Sequence, residues 1–202
     1  MRLTTGLLFA AIAGLAALPA SAQWIPQDSL VGMEHQPRVT HYARAFAASF
    51  VNDAMLQSAV RESTEAHRRL DWEQQRMLDR EWRNERANRD TSGTYGAVLG
   101  NRLSDWLKER MADAPHGAVT EIYVIDGLGW NVGQTGDTAD FFQGDETQWQ
   151  EVLPGGQNAS FVSELEDNGE GERTLALVSL PINDGTRNLG VVTIGVDTSK
   201  LP

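Results

Sequence analysis

The hydrophobic period of the chain changes once, at Gly117, and that change limits the folds open to it. Before Gly117 the pattern is helical. Tyr42, Phe46, Phe50 and Ala54, followed by Met55 and Leu56, recur at three-to-four spacing and make one apolar face. Pro37 suits a first helical turn, and no proline follows until Pro115. The spacing predicts one long helix from Pro37 to about Asn88, with Arg68–Asp71 as the place where it could break. From Arg61 the stretch is charged. Glu65–Arg69, Asp79–Arg83 and Glu85–Arg89 stand at i,i+4 in the favourable order, which reads as a solvated face laced with ion pairs. Asn88 to Gly93 is a turn-rich linker. A second helix is expected over about Tyr95–Met111, with Val98, Leu99, Leu103, Trp106 and Leu107 on one face.

After Gly117 the pattern alternates and is rich in β-branched and aromatic residues. Strands are expected at Val119–Ile125, Trp130–Thr135, Ala159–Leu165, Thr174–Ile182 and Leu189–Val196. Asp126-Gly127-Leu128-Gly129 and Asn183-Asp184-Gly185 read as hairpin turns. A short helix is expected around Glu146–Val152. Helices first and strands afterwards give an α+β fold without the alternation of a doubly wound one: a long N-terminal helix packed on a five-stranded antiparallel sheet.

The first 22 residues have the layout of a secretory signal peptide. Arg2 supplies the positive start, Leu7 to Leu18 the apolar run, and Ala20-Ser21-Ala22 the small residues at the cleavage site. The run is short for a membrane span. The expected product begins at Gln23, is periplasmic or secreted, and divides into an extension at 23–36 and one domain at 37–202, helical over 37–112 and sheet over 118–200.

The whole chain has no cysteine and a net charge of −11. Absent cysteine excludes disulfides, a lipid-anchored N-terminus, thiolate metal sites and a cysteine nucleophile. The acidity argues against nucleic-acid partners, which need a basic footprint. It is also uneven. Residues 61–90 are neutral overall, whereas 91–202 carry a net −11, and no Lys or Arg occurs between Met111 and Glu172. The four histidines, at 35, 41, 67 and 116, are scattered, and no catalytic motif or phosphate-binding loop is readable. The chain is therefore read as non-catalytic, without cofactor or metal. A hydrolase using paired carboxylates is the remaining enzymatic reading.

Three stretches resemble the extracytoplasmic PAS-like sensor domain called Cache, or PDC. They are Glu121 to Gly129, Asp137 to Trp149, and Val178 to Gly185 with Leu189 to Asp197. The resemblance covers about residues 37–200 and implies a single sensing module. Most such modules are ectodomains of transmembrane receptors. This sequence shows no second membrane span or output domain, so the expectation is a stand-alone periplasmic protein that signals through a membrane-embedded partner. By position, Phe141 and Trp149 resemble the family's aromatic ligand contacts, and Asp197 its amine-binding Asp. Trp130, Asp140 and Asp145 complete the expected ligand-binding set.

The family's carboxylate-gripping Arg has no counterpart in the stretch after the second strand. A carboxylate would lack a charge-assisted bond of about 1.5–3 kcal/mol there. Cationic or neutral ligands are favoured instead, held by acids and aromatic rings. Each residue has an ordinary alternative. Trp149 could plug the core, Asp197 could serve a strand-end turn, Asp140 could cap the short helix, and Trp130 could cover the sheet. The acidic stretch Glu164–Glu172 reads as a solvated hairpin turn, since its spacing does not match a calcium loop. A further alternative is an interaction or homodimerisation module that uses the long charged helix without any ligand.

Overall fold

The computed structural model describes residues 34–202. The leader at 1–22 and most of the extension at 23–36 lie outside the described residues. Three helices stand where one was expected: α1 (Gln36–Ala47), α2 (Ala54–His67) and α3 (Trp72–Asn88). Each later helix starts on its own cap. The Asp53 carboxylate accepts from the Met55 N–H at 2.7 Å. Asp71 accepts from the Glu73 and Gln74 N–H groups at 3.0 and 2.9 Å, and the Gln74 side chain accepts from the Asp71 N–H at 2.9 Å. This reciprocal box satisfies donors that a helix start leaves orphaned. The second expected helix is also two, α4 (Thr94–Leu99) and α5 (Arg102–Ala112), with Asn101 capping α5 through the Ser104 N–H at 2.8 Å.

The ion pairs differ from the spacing-based expectation. Asp79–Arg83 forms, but Glu65 pairs with Arg68 at 2.6 Å. Glu85 instead accepts the backbone N–H of Tyr95 at 2.8 Å, tying α3 to α4.

The sheet has six strands: β1 (Val119–Ile125), β2 (Asn131–Gln134), β3 (Phe161–Val162), β4 (Glu166–Asp167), β5 (Arg173–Asn183) and β6 (Asn188–Asp197). All pairings are antiparallel, in the order β2-β1-β6-β5-β3, with β4 also on β5. The strand expected at Ala159–Leu165 is thus reduced to β3, and β4 begins just past its expected end. A last helix, α6 (Thr147–Val152), follows β2. The acidic stretch is the β4–β5 hairpin, where Asp167 and Asn168 spend side-chain oxygens on backbone N–H groups of the turn at 2.6–3.3 Å.

The pleat sorts the sheet into two faces. Ile122 and Val124 of β1, Val192 and Ile194 of β6, and Val178 of β5 are fully buried against the helices, in one core with Leu56, Val60 and Leu107. Gly190 permits the closest approach: a Cβ there would collide with the Ile125 carbonyl and lie 2.9 Å from Val60 Cγ1. The fold is α+β, with N-terminal helices packed on an antiparallel sheet.

Candidate functional site

The site is organised by Asp126, the last residue before the β1–β2 turn, whose carboxylate is fully buried. One oxygen accepts the Leu128 and Trp130 backbone N–H groups at 2.8 and 3.0 Å, which shapes the turn. The other accepts from Ser63 Oγ at 2.8 Å and His67 Nδ1 at 2.8 Å, both on α2. A carboxylate only accepts, so the His67 nitrogen facing it carries the hydrogen. This fixes the ring, which stacks on Trp130 with centroids 5.0 Å apart and a 23° interplanar angle.

Trp130 begins an aromatic cluster. Phe141 lies 5.2 Å from it and stacks on Trp82 of α3 at 5.0 Å and 14°. Phe142 lies 4.9 Å from Trp130 on the other side. The Asp79 side chain on α3 accepts the Phe141 and Phe142 N–H groups, both at 3.1 Å, and holds that loop under the helix. Gly129 lets the turn touch the same loop. It has a φ of +94°, and a Cβ there would strike Gly144.

Between α3 and this floor is a cleft of about 270 Å³, lined by Trp72, Gln75, Arg76, Asp79, Trp130 and Phe142. Trp72 stands 67% exposed on its rim, with the Arg76 guanidinium 5.4 Å from its ring centroid. The Asp79 carboxylate is committed to the two backbone N–H groups and to Arg83. Among the described residues that line the cleft, the charge left without an ion-pair partner is therefore Arg76.

The other face of the sheet, away from α1 and α2, is filled by side chains. Tyr123, Ile125 and Val191 pack with Val152 of α6, and Trp149, Leu153 and Phe161 lie against them. Ser179 and Thr193 are fully buried on facing strands and share a hydrogen bond at 2.8 Å. Burial pushes the Tyr123 phenol upward, against the bonds to Thr193 and Gln148 that lower it. Glu121 is half-buried further along this face. Burial, and then the charge of Glu166, raises its carboxyl above the ordinary range.

The six residues expected to bind ligand do not form one site. Trp130 lines the cleft, and Phe141 lies behind it, 3% exposed. Trp149 is on the filled face, where its Nε1 donates to the Asp126 carbonyl at 3.0 Å. Asp140 pairs with Arg83 at 3.2 Å and caps no helix, and Asp145 is exposed. Asp197 ends the interior strand β6 at the end of the sheet away from the β1–β2 turn. Burial pushes its carboxyl up, but the bonds from Ser199 and Lys200 outweigh that and hold it below its ordinary value. It caps a turn at 2.7 Å from Ser199 Oγ and 3.2 Å from Lys200 Nζ.

These placements bear on the expected preference for cationic or neutral ligands. The acids on which it rested are paired, exposed or distant, and among the described residues Arg76 is the cleft-lining charge without an ion-pair partner. Sequence reasoning did not find Asp126, His67, Ser63 or Asp79. Only the Asp-Gly turn and the start of α3 marked their neighbourhood.

No protein-family model matches the chain, and no curated protein does. Among solved structures, it is similar to the sensory domain of the Campylobacter jejuni chemoreceptor Tlp3, at 14% identity over 78% of this chain and 64% of that one, with a TM-score of 0.38. The ligand-binding domain of the Pseudomonas aeruginosa amino acid chemoreceptor PctC, in complex with GABA, matches at 16% identity over 60% of each chain, TM-score 0.34. The sensor domain of the Vibrio cholerae histidine kinase DctB matches at 13% over 87% of this chain and 59% of that one, TM-score 0.37. The chain thus spans less than two thirds of each of these domains. The similarity is one of fold, to sensor domains of chemoreceptors and of a histidine kinase, and it assigns no role to any residue here.

Proposed function

We propose that the chain is an extracytoplasmic, non-catalytic sensing module that binds a small molecule in the cleft between α3 and the β1–β2 turn. The observation that carries this reading is the cleft itself: an open, aromatic-walled space with a few charged groups at its rim, which is how small-molecule sites are built. The chemistry favours a flat or apolar ligand, neutral or bearing a negative group that Arg76 can meet. Occupancy would be felt by α2 and α3 together. His67 ends α2 against Trp130, and Trp72 begins α3 across the cleft. Transmission to a separate membrane partner and a periplasmic location belong to the same proposal. Among the described residues no helix is long and apolar enough to cross a membrane.

A thermal-shift screen of the chain from Gln23 onward against amines, amino acids, organic acids and purines tests it. A ligand at 100 times its Kd adds about 2.7 kcal/mol to stability. The expected result is a melting-temperature rise with one class, abolished in Trp72→Ala, a change at an exposed position. No shift with any class, or a shift that Trp72→Ala leaves intact, rejects the cleft as the site.

A second reading rests on Trp72 and Met77, the large exposed apolar side chains among the described residues, which both belong to α3. In that reading α3 docks on a protein partner or a second copy. Sedimentation velocity over a range of concentrations distinguishes the copy, since a dimer through α3 would dissociate on dilution and be lost in Trp72→Ala.

A further inference from the structure

The sequence offers no Lys or Arg between Met111 and Glu172, yet folding gathers three arginines elsewhere. Arg61 from α2, Arg68 just past its C-terminus and Arg187 from the β5–β6 turn line one small cleft with Thr64, Glu65, Gly127 and Asn188. Its volume is about 140 Å³. At ~30 Å³ per water, that is room for about five waters, the scale of a single oxyanion head.

Glu65 is itself part of the lining, and Asp184 holds Arg61 from beside it. Asp184 is saturated: one oxygen takes Thr186 N, Thr186 Oγ1 and Arg187 N at 3.0, 2.6 and 3.0 Å, and the other takes Arg61 at 2.7 Å. The Thr186 hydroxyl, Arg61 and these backbone groups hold its carboxyl well below the ordinary range. Asp184 thereby fixes Arg61 through one of its five N–H donors and leaves the rest available. Glu65 meets Arg68 in a pair more than half exposed on both sides, a weak contact that a better anion can displace. Among the described residues, Arg187 has no acidic partner within salt-bridge distance, which leaves one positive charge in excess on this part of an acidic protein.

We propose that Arg61, Arg68 and Arg187 form a second site, separate from the aromatic cleft, for a small free oxyanion carrying phosphate, sulfate or carboxylate groups. Isothermal titration with inorganic phosphate and with succinate, against chloride at equal low ionic strength, tests it. At least one oxyanion should bind saturably at one site per chain. Arg187→Gln and Arg68→Gln, both at exposed positions, should each weaken binding about tenfold. Arg173→Gln, at an exposed position on another part of the sheet, should leave it unchanged. No saturable binding of either oxyanion, or equal binding by the Arg187 and Arg68 variants, overturns the proposal.

Discussion

At the scale of single residues, burial decides which carboxylates matter. Asp126 and Glu121 are both on β1 or at its end, and their situations are opposite. Asp126 is fully buried and fully satisfied by two backbone N–H groups, a hydroxyl and an imidazole. Asp126→Ala leaves those donors without an acceptor and is expected to destabilise the protein by about 3–5 kcal/mol. Urea denaturation measures this, and the emission of Trp130 should change as His67 loses its anchor. Glu121 is half-buried with no such donors, and burial with the Glu166 charge raises its carboxyl. A raised carboxyl means that the folded state holds the proton more tightly. Its stabilising contribution is present below the unfolded value and is lost as pH rises through the raised one. Glu121→Gln is therefore expected to melt higher than the parent at about pH 7 and level with it at about pH 3. Equal differences at both pH values would show that the carboxyl does not titrate in this way. The importance of Asp126 was not legible beforehand. Its sequence context is an ordinary Asp-Gly turn, and its burial depends on α2, some sixty residues earlier in the chain.

Elements were legible where the signal is local and lost where it is not. The β1–β2 and β5–β6 hairpins follow from alternation and from Asp-Gly turns, both short-range features, and they stand where the pattern put them. Of the expected third strand, Phe161 and Val162 enter the ladder on β5, Ser163 trades its ladder acceptor role to a side-chain bond with Leu177, and pairing resumes only at Glu166 and Asp167, beyond the expected end. Helix breaks were partly visible. Asp71 and Gln74 spell a capping box at the second break, but the first, around Ala48–Asn52, contains neither Gly nor Pro. What bends the chain there is packing: Phe50 is buried in the turn while Leu56 and Val60 are buried from α2, and one straight helix does not present all of these to a single sheet. The charge on α3 was legible as composition but not as geometry. Its arginines reach across to Asp137 and Asp140 in the loop after β2, so this helix is docked on one side rather than solvated all round. The site suffered for the same reason. The residues that build it come from α2, α3 and the β1–β2 turn, and no spacing rule connects those segments.

At the scale of the whole molecule, the described chain has two layers of unequal support. The sheet, α1, α2 and α5 share one large core. Helices α3 and α4 instead rest on a smaller cluster of Trp82, Val98, Trp130 and Phe141. Trp82 is its centre: fully buried, stacked on Phe141, edge-on to Tyr95 at 5.1 Å, and donating from Nε1 to the Thr138 carbonyl at 3.2 Å. Local opening free energies follow the support a segment has, so the α3–α4 layer should open before the sheet does. Trp82→Ala is expected to cost about 3–5 kcal/mol locally. Hydrogen exchange should then show residues 72–99 losing protection while β1, β5 and β6 keep theirs. The same layer roofs the aromatic cleft, so a ligand bound there would raise protection over 72–99 in the parent protein and fail to do so in the variant. Protection lost evenly over helices and sheet would mean that the molecule opens as one unit. In that case occupancy of the cleft could not be passed on by a movement of α3 alone.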